Sequence, residues 1–544
     1  MKKYLIKISA LVLGLTLTFA CNEDLLEIPE KGVLDFNKYY TNAGPAEAES
    51  LIASIYDQHY GMIEGIATQI FLDVLSDDHF AGGNSFGDGA SGFNMAANLN
   101  MSSSSHTNPN TMYTNAYKII NWANNIIELI PETSDERVNR VKAEANFFRA
   151  LMMFELVRWF GTPPFVDRLT EEQYPENGDH YEIITWCLER MQEAADALPA
   201  IQGMGQQRAF NARISKHAAL AYKGKIALWY GTRYNNNEIL AQAVEPLKTV
   251  INSGLYGLVD DMFTLGRPAA DFSKEYIWEH NAADAGGYAN NQSDIRHIWT
   301  NWRPENMILP DNLYNLGWQW DPPSGNFGDF MKEYHGGDIE NHRFKSTLHT
   351  YDQIMEMSYT RTVNPPGIFV PLSASQGYFR YRGLLFVDDI YAELPGQQKK
   401  SKGNTYFMRY SEVLLMYAEA KFLTDDADGT GLQALNEVRR RAQIPELDVL
   451  TYEDIKDERR AELWAEGERY FDLVRWGDAA TVLKNKGQIR YTFYGYKEGT
   501  KEWDIRESTP TAGTANGWDK KFELFPFPYA QTSANPNLTQ NPGW

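Results

Sequence analysis

Cysteine is nearly absent from this chain, and basic residues are in a clear minority. The 544 residues include two cysteines, and 51 lysines and arginines stand against 72 aspartates and glutamates, a net charge of −21. Two cysteines cannot form a disulfide framework, so the fold must rest on a hydrophobic core, which an apolar content of 43% can supply. Binding of nucleic acids or anionic lipids depends on basic patches, and this charge balance argues against both ligands.

Motifs for metals, cofactors and covalent catalysis are also missing or incomplete. The ten histidines are scattered, and the sequence has no His-Glu-x-x-His, no Cys-x-x-Cys, no phosphate-binding loop and no dinucleotide fingerprint. The run TDDADG begins like a calcium loop, but Leu435 stands where the closing glutamate is needed, which favours a plain turn. Residues 83–87, GNSFG, fit a nucleophile elbow, yet a helical pattern precedes them where a strand is required. We therefore expect no metal and no cofactor, and we reject a serine hydrolase.

The first 20 residues are typical of an export signal. Three lysines give a basic start, and an apolar run too short to anchor in a bilayer ends at Ala20. Cys21 follows directly and precedes polar residues, which resembles a bacterial lipoprotein cleavage site, although Thr18 stands where leucine is commonest. Acylation of Cys21 would anchor the mature chain to a membrane, and an ordinary secreted protein with a chance cysteine is the alternative. The other cysteine, Cys187, lies in an amphipathic pattern and is interpreted as a buried, inert thiol.

Apolar residues at helical spacing recur in pairs along two parts of the chain. The patterns predict helices over residues 46–59, 68–75, 113–130, 135–160, 180–198, 214–231 and 237–253. In the second part, FMRYSEVLLMYAEAKFL and GLQALNEVRRRAQIPEL predict a helix hairpin, and a third helix begins at the capping-box-like Thr451 and Asp454. Recurring helix pairs suggest a repeat array, so the fold is predicted to be mainly α.

The third helix, predicted to continue through ERRAELWAEGERYFDLVRWG, carries opposite charges at spacings that face one another on a helix. The predicted pairs are Arg459 with Glu462, Glu466 with Arg469, Arg469 with Asp472, and Asp472 with Arg475. A solvent-exposed ladder is the common explanation of such a pattern. The aromatic residues that lie between the charges favour at least partial burial instead.

Residues 261–404 lack this periodicity, and they contain the densest group of tryptophans. The segment HIWTNWRPENMILPDNLYNLGWQWDPP holds five aromatic residues among polar residues and turn formers: Trp299, Trp302, Tyr314, Trp318 and Trp320. Indole and phenol rings stack on the C–H faces of sugars, so we predict a ligand-binding platform here. For any single ring, a local aromatic core under a long loop is the alternative. His79, Phe80 and Phe86 in a Gly-rich loop, and Tyr288, are second-rank candidates.

Several of these motifs resemble a known family. RYSEVLLMYAEA, ALNEVRRRA and ERRAELWAEGERYFDLVRWG resemble the C-terminal signature of the SusD/RagB family, surface lipoproteins of Bacteroidetes that bind nutrients, and FPFPYAQTSANPNLTQNPGW resembles its closing motif. The resemblance implies a mainly α, tetratricopeptide-like helix-pair scaffold with an irregular, loop-rich ligand-binding region. Together with the patterns above, the resemblance implies a signal peptide at residues 1–20 and a single unit at 21–544. Within that unit, the helical scaffold is expected in 45–260 and 405–480, and the irregular ligand-facing region in 261–404. A loop and strand segment is expected in 481–544.

The resemblance further implies a non-catalytic, lipid-anchored protein on the outside of the outer membrane. Such a protein captures an oligo- or polysaccharide and passes it to a SusC-like, TonB-dependent barrel transporter. Two other functions stay open: a surface glycosidase that uses two carboxylates, and a SusD-like binder of peptides. Adjacent Asp77 and Asp78 diverge on any regular element, and Glu305, Asp311 and Asp321 beside the tryptophans lack a spacing that would hold two carboxyls across a bond. The glycosidase is therefore disfavoured.

Overall fold

Helices dominate the residues that the structure, a computed structural model, describes, and its strands are few and short. The described residues are 36–64, 68–82, 91–101, 106–200, 212–281, 296–302, 307–308, 311–314, 317–350, 352–354, 359–360, 370–371, 375–390, 401–486, 491–496, 503–508 and 517–544. The prediction of a mainly α fold is confirmed. Within these ranges, no helix combines the length and the apolar composition needed to cross a membrane.

The first group of helices packs as a series of neighbours along the chain. Its members are α1 (Phe36–Thr41), α2 (Pro45–Glu64), α3 (Thr68–Leu75), α4 (Ser91–Ala97), α5 (Thr107–Leu129), α6 (Glu136–Phe160), α7 (His180–Ala197), α8 (Lys216–Arg233), α9 (Asn237–Ala241) and α10 (Val244–Asn252). Each long helix packs on the next, α5 on α6, α6 on α7 and α7 on α8, and α2 packs on both α5 and α6. These helices bury their apolar faces against one another and form the predicted helix pairs.

Local sequence determines where several of these helices begin and end. Asp135 and Ser215 accept hydrogen bonds from the first backbone N–H groups of α6 and α8. Gly161, with φ 76°, ends α6 in a conformation that other residues rarely adopt. The single helix predicted over 237–253 is wrong, because α9 and α10 are separate. The ring of Pro246 would clash with a helical carbonyl four residues earlier, which favours a break in the helix just before α10.

Short elements fill the middle of the chain. The helices are α11 (Arg296–Thr300), α12 (Gly325–Tyr334) and α13 (His342–Thr347), and 3-10 turns lie at Met262–Thr264, Pro268–Ala270 and Val387–Asp389. The strands are β1 (Tyr276–His280), β2 (Met307–Ile308), β3 (Leu348–Thr350), β4 (Tyr359–Thr360), β5 (Val370–Pro371), β6 (Tyr378–Arg380) and β7 (Thr405–Arg409). Three antiparallel pairs form, β1 with β7, β2 with β4 and β3 with β6. The β1–β7 pair joins this region to the helix that follows β7 directly.

The second group of helices closes the scaffold. Its members are α14 (Tyr410–Thr424), α15 (Thr430–Arg441), α16 (Tyr452–Glu462), α17 (Arg469–Trp476) and α18 (Ala479–Val482), followed by β8 (Tyr491–Tyr496), β9 (Trp503–Ser508), a 3-10 turn at Lys520–Glu523 and α19 (Tyr529–Ala534). α14 and α15 pack together as the predicted hairpin, and the capping box of Thr451 and Asp454 is present. β8 lies between β5 and β9 in a three-stranded antiparallel sheet.

The third helix of the C-terminal group is not continuous, so that prediction is wrong. α16 ends at Glu462 and α17 begins at Arg469. Between them Ala465 (φ 62°) and Gly467 (φ 78°) adopt left-handed conformations. The Gly467 N–H donates to Asp73 Oδ1 of α3 at 2.9 Å. The break thus lets this segment contact α3, which lies almost four hundred residues earlier in the chain. A continuous helix would not make this contact.

The charges of this region form a buried network, which confirms the expectation of burial. Asp472 pairs with Arg475 as predicted, at 2.8 Å, but Arg459 pairs with Asp472 and not with Glu462. Asp472, Arg459 and Arg475 are each at most 4% exposed. The predicted pairs of Glu466 with Arg469 and of Arg469 with Asp472 are wrong. These side chains pair across the fold instead: Arg469 with Asp77, Glu466 with Arg409, and Glu462 with Arg441. Because each charge is paired in the interior, the network connects the two helical groups.

One large hydrophobic core runs through both helical groups. Phe147 and Phe148 of α6, Trp229 of α8 and Leu415 of α14 belong to it. Cys187 of α7 is also fully buried in this core, and burial raises the pKa of its thiol. The interpretation of Cys187 as a buried thiol is confirmed.

Candidate functional site

Trp299, Trp318 and Trp320 come together at one place in the fold. Trp299 lies on α11, and the other two lie on the loop 317–321. Backbone hydrogen bonds attach the loop to the helix: the Trp318 N–H donates to Ile298 O at 3.0 Å, and the Trp320 N–H donates to Trp299 O at 2.7 Å. Residues separated by about twenty positions in the sequence therefore present their rings side by side.

The three indoles form a contiguous aromatic group, which we call the tryptophan platform. The ring centroids of Trp318 and Trp320 are 5.0 Å apart, those of Trp299 and Trp320 5.9 Å, and those of Trp299 and Trp318 6.5 Å. All three side chains are half-buried. Phe93 of α4 packs edge-on against Trp320 at 5.6 Å, a contact that no pattern in the sequence had indicated. Half-buried indoles keep part of each ring available to a ligand while neighbours fix their orientation.

Trp302 belongs to the interior. It is 1% exposed, and its indole N–H donates to Arg380 O at 2.6 Å. The rings of Phe379 and His349 pack against it in edge-to-face geometry, with centroids 6.0 and 6.3 Å away. A ring with these contacts has no face for a ligand, so Trp302 leaves the set that we propose for ligand binding.

The remaining predicted residues lie in different environments. Tyr314 is half-buried and packs beside the small apolar cluster that includes Ile298. His79 and Phe80 are buried, at 3% exposure each, and His79 stacks on Trp464 with 4.8 Å between centroids. Neither His79 nor Phe80 presents a free face to a ligand in this conformation. Phe86, Tyr288 and the lipidation candidate Cys21 lie outside the described residues.

A buried polar cluster lies directly beneath the platform loop. His79 Nδ1 lies 2.7 Å from Asp321 Oδ1, and Arg380 Nη2 lies 3.2 Å from Asp321 Oδ2. Asp73 faces the same carboxyl, and burial raises the pKa of both aspartates to about 8. One proton shared between two such carboxyls replaces the repulsion of two buried charges. Burial also lowers the pKa of His79 to about 4, so its imidazole is neutral at physiological pH.

The same cluster has the donor atoms of a metal site. Asp73, His79 and Asp321 each offer one ligand atom, and these atoms lie within 4.8 Å of one another. However, Arg380 contacts Asp321, and the buried Lys486 donates to the carbonyl of His79 at 3.1 Å. A metal ion would meet these positive charges at close range. The cluster is balanced without a metal, and we assign none to it.

A cavity of about 200 Å³ adjoins this cluster. Asp73, Asp321 and Arg380 line it together with residues of α2, α6, α8 and β7. Its charged side chains largely neutralise one another: Lys225 lies 2.8 Å from both Glu412 and Glu468, and Arg158 lies 3.3 Å from Glu468. Burial opposes the ionisation of Glu468, but Lys225 and Arg158 lower its pKa to about 2. These pairs are characteristic of a structural ion network, and we assign no ligand to the cavity.

Comparison with known proteins gives consistent matches along the chain. A model of the SusD family matches residues 274–544, and a model described as starch-binding, associating with the outer membrane, matches residues 35–228. The SusD-like protein P2 of Formosa agariphila is 26% identical over 523 residues, and the match covers 87% of this chain and 91% of that protein.

Solved structures of the same kind superpose on this fold. A laminarin-binding SusD-like protein is 26% identical, covers 92% of this chain and 99% of its own, and gives a TM-score of 0.72. Surface glycan-binding protein A from Bacteroides fluxus, at 21% identity, covers 91% of this chain and 99% of its own, with a TM-score of 0.69, and supports the fold alone. The predicted tetratricopeptide-like helical scaffold is confirmed.

Proposed function

The chain belongs to the SusD/RagB family, and we propose that it captures a glycan on the cell surface through the tryptophan platform. The observation that carries the proposal is the grouping of three half-buried indoles on a loop and a helix end, with centroids 5.0–6.5 Å apart. The apolar faces of sugar rings stack on indoles, and their hydroxyls bond to polar neighbours. The similarity to a laminarin-binding relative makes a β-glucan such as laminarin the first ligand to test.

We propose that the bound glycan is not cleaved. A glycosidase needs two carboxyls that can reach opposite sides of the scissile bond. Asp321 is the carboxyl next to Trp320, but it is 1% exposed and engaged with His79 and Arg380. It therefore cannot reach a sugar on the platform without unfolding the loop. The glycosidase and the peptide binder remain the alternatives that the experiment must separate.

The experiment is a ligand screen on the soluble chain from residue 22 onward. Affinity electrophoresis against a panel of polysaccharides, with peptides in a parallel titration, identifies the ligand class. We expect retardation by at least one glycan, no peptide binding, and no new reducing ends after prolonged incubation. Trp318→Ala should abolish most of the retardation, and Glu144→Gln, a change at a buried scaffold carboxylate, is the matched control. Release of reducing ends would establish the glycosidase, and binding of peptides alone would refute the glycan proposal.

We also propose that Cys21 carries the lipid that holds the protein at the outer membrane, facing outward. The basic start, the short apolar run and the cysteine at its end support this proposal. Stable anchoring takes more than one acyl chain, as bacterial lipoproteins have. Cys21→Ser should shift the protein from the membrane fraction to the soluble fraction. Unchanged fractionation of the variant would contradict the anchor.

Finally, we propose that the protein acts with a SusC-like, TonB-dependent barrel transporter. The family membership supports this partner, and the large helix-pair scaffold offers the extended surface that such repeat arrays use for docking. Extraction in mild detergents should recover the protein together with a much larger barrel protein. The Cys21→Ser variant shows whether the complex survives without the anchor. Recovery of free monomer alone under several mild conditions would count against the partnership.

A further inference from the structure

The platform loop has a backbone that its own sequence does not favour. Gln319 (φ 51°) and Asp321 (φ 60°) are both left-handed, and they flank Trp320 on either side. Only seven residues other than glycine have positive φ in the described part of the chain, and two of them fall within three positions here. Residues other than glycine seldom adopt this conformation. The shape of the loop must therefore be imposed by contacts with the rest of the fold.

Backbone contacts hold the loop from two sides. On one side lies α11, whose end accepts the N–H groups of Trp318 and Trp320. On the other side lies the segment 79–82, which forms isolated β-bridges to Pro323 and Trp320. A Cβ on Gly82 would lie 2.2 Å from Gln319 O, so only glycine allows this close approach. The loop thus lies between α11 and the segment 79–82, which are far apart from each other in the sequence.

One side chain of the loop connects it to both the segment 79–82 and β6. The Asp321 carboxyl is 1% exposed, contacts His79 Nδ1 at 2.7 Å and contacts Arg380 Nη2 at 3.2 Å. The two partners are themselves fixed, because His79 stacks on Trp464 and the Arg380 guanidinium lies 4.9 Å from the centroid of the same ring. Asp321 is the residue after Trp320, so the backbone that its buried carboxyl holds in place also carries that indole.

We propose that Asp321 is a positioning residue that fixes the glycan-binding orientation of Trp318 and Trp320 through its buried contacts with His79 and Arg380. The proposal rests on the tryptophan platform being the glycan site. Asp321 itself does not touch the ligand. Its role is to hold the loop rigid before binding, so that the indoles need not be ordered when the sugar arrives.

The test is Asp321→Gly in protein labelled with 5-fluorotryptophan. Glycine adopts φ 60° freely, so the variant removes the carboxyl without adding backbone strain. The fluorine resonances of Trp318 and Trp320 are assigned from Trp→Phe variants. We expect both resonances to shift or broaden in Asp321→Gly, while those of core tryptophans away from the cluster, such as Trp229 and Trp278, stay in place. Glycan affinity should fall about 5- to 100-fold, the cost of ordering two freed side chains on binding.

Two further variants make the result specific. Asp321→Asn also tolerates a left-handed backbone and can hydrogen-bond to both partners, so we expect it to restore most of the affinity and both resonances. Glu144→Gln, which breaks a buried scaffold pair with Arg213, should lower the melting temperature without moving the two resonances. If Asp321→Gly fails to fold, Arg380→Met removes the opposite partner, and the same two resonances must respond.

The outcomes separate this inference from the proposed function. If Trp318→Ala abolishes binding while Asp321→Gly leaves affinity and both resonances unchanged, the positioning role is refuted and the platform stands. If Asp321→Gly disturbs both resonances but neither variant alters binding, the loop is anchored as proposed and the glycan site lies elsewhere. In that case the positioning role in glycan binding is refuted together with the platform.

Discussion

Trp302 and Trp318 should respond in opposite ways to truncation, although both are tryptophans of one irregular segment. Trp302 is 1% exposed, and removing a large buried aromatic side chain costs about 3–5 kcal/mol. The carbonyl of Arg380 would also lose its indole donor, and an unpaired buried polar group costs about 1–3 kcal/mol, some of it already included in that range. If the whole mature chain unfolds as one unit, Trp302→Ala should lower the melting temperature by about 3–5 °C.

Trp318→Ala should instead cost at most about 2 kcal/mol of stability, because its ring is half-buried. A stacked ring contributes roughly 1–3 kcal/mol in comparable base-stacking sites, so the loss of Trp318 should weaken glycan binding about 5- to 100-fold. Trp302→Ala, measured well below its melting temperature, should keep the affinity within about threefold, less than 1 kcal/mol. Scanning calorimetry and titration calorimetry on the same preparations measure both quantities.

Trp302→Phe is the matched control, since it keeps a six-membered aromatic ring and removes the pyrrole part of the indole with its N–H donor. Its stability should lie between those of the wild type and Trp302→Ala. The reasoning fails if Trp302→Ala unfolds like the wild type and loses glycan binding. It also fails if Trp318→Ala destabilises the protein as strongly as Trp302→Ala, because Trp318 would then be part of the core.

Three other predictions concern the scaffold. Glu419→Gln should destabilise the protein by about 3–5 kcal/mol in denaturant titrations, because it leaves the buried Arg459 and Arg475 with the single carboxylate of Asp472. Arg440→Ala at an exposed pair should cost less than about 1 kcal/mol, and equal effects would contradict the buried network. The pKa of Glu468 in the folded protein, about 2, lies below its usual value of 4.5. The carboxylate therefore adds to the free energy of unfolding above pH 4.5, and this contribution is lost as the pH falls towards 2. If a Glu468→Gln variant lost the same amount of stability in acid as the wild type, this assignment would be refuted. Cys187 should resist thiol reagents in the native protein and react fully in denaturant, and fast native labelling would show that the thiol is not buried.

Much of the scaffold could be predicted because the signals that define it are local. The bounds of α6 follow from its own sequence, because its apolar residues have helical spacing, Asp135 caps its start and Gly161 ends it. The break between α16 and α17 could not be predicted, because its left-handed Gly467 is fixed by Asp73 of a distant helix. Pro246 shows the opposite case. This proline near the start of α10 is visible in the sequence. The prediction failed because it followed the helical spacing of the apolar residues and ignored the proline.

The candidate site was predictable as a region but not residue by residue. A dense group of tryptophans in an irregular segment marks the platform, because large rings in a polar stretch need either a ligand or a local core. The same composition cannot separate Trp302 from Trp318, since Trp302 is buried against His349 and Phe379, which lie far along the chain. The sequence likewise places His79 among the candidate ligand residues, and its pairing with Asp321 is visible only when the two segments are folded together.

The position of a bound sugar tests the central claim most directly. A crystal structure of the soluble chain with an oligosaccharide of the polysaccharide found in the screen would locate the ligand. The account predicts a pyranose ring stacked on the indole of Trp318, with Trp299 or Trp320 in contact with the same glycan and the Asp321 carboxyl still buried. A glycan bound away from all three indoles, in the interior cavity or on the scaffold helices, would contradict it.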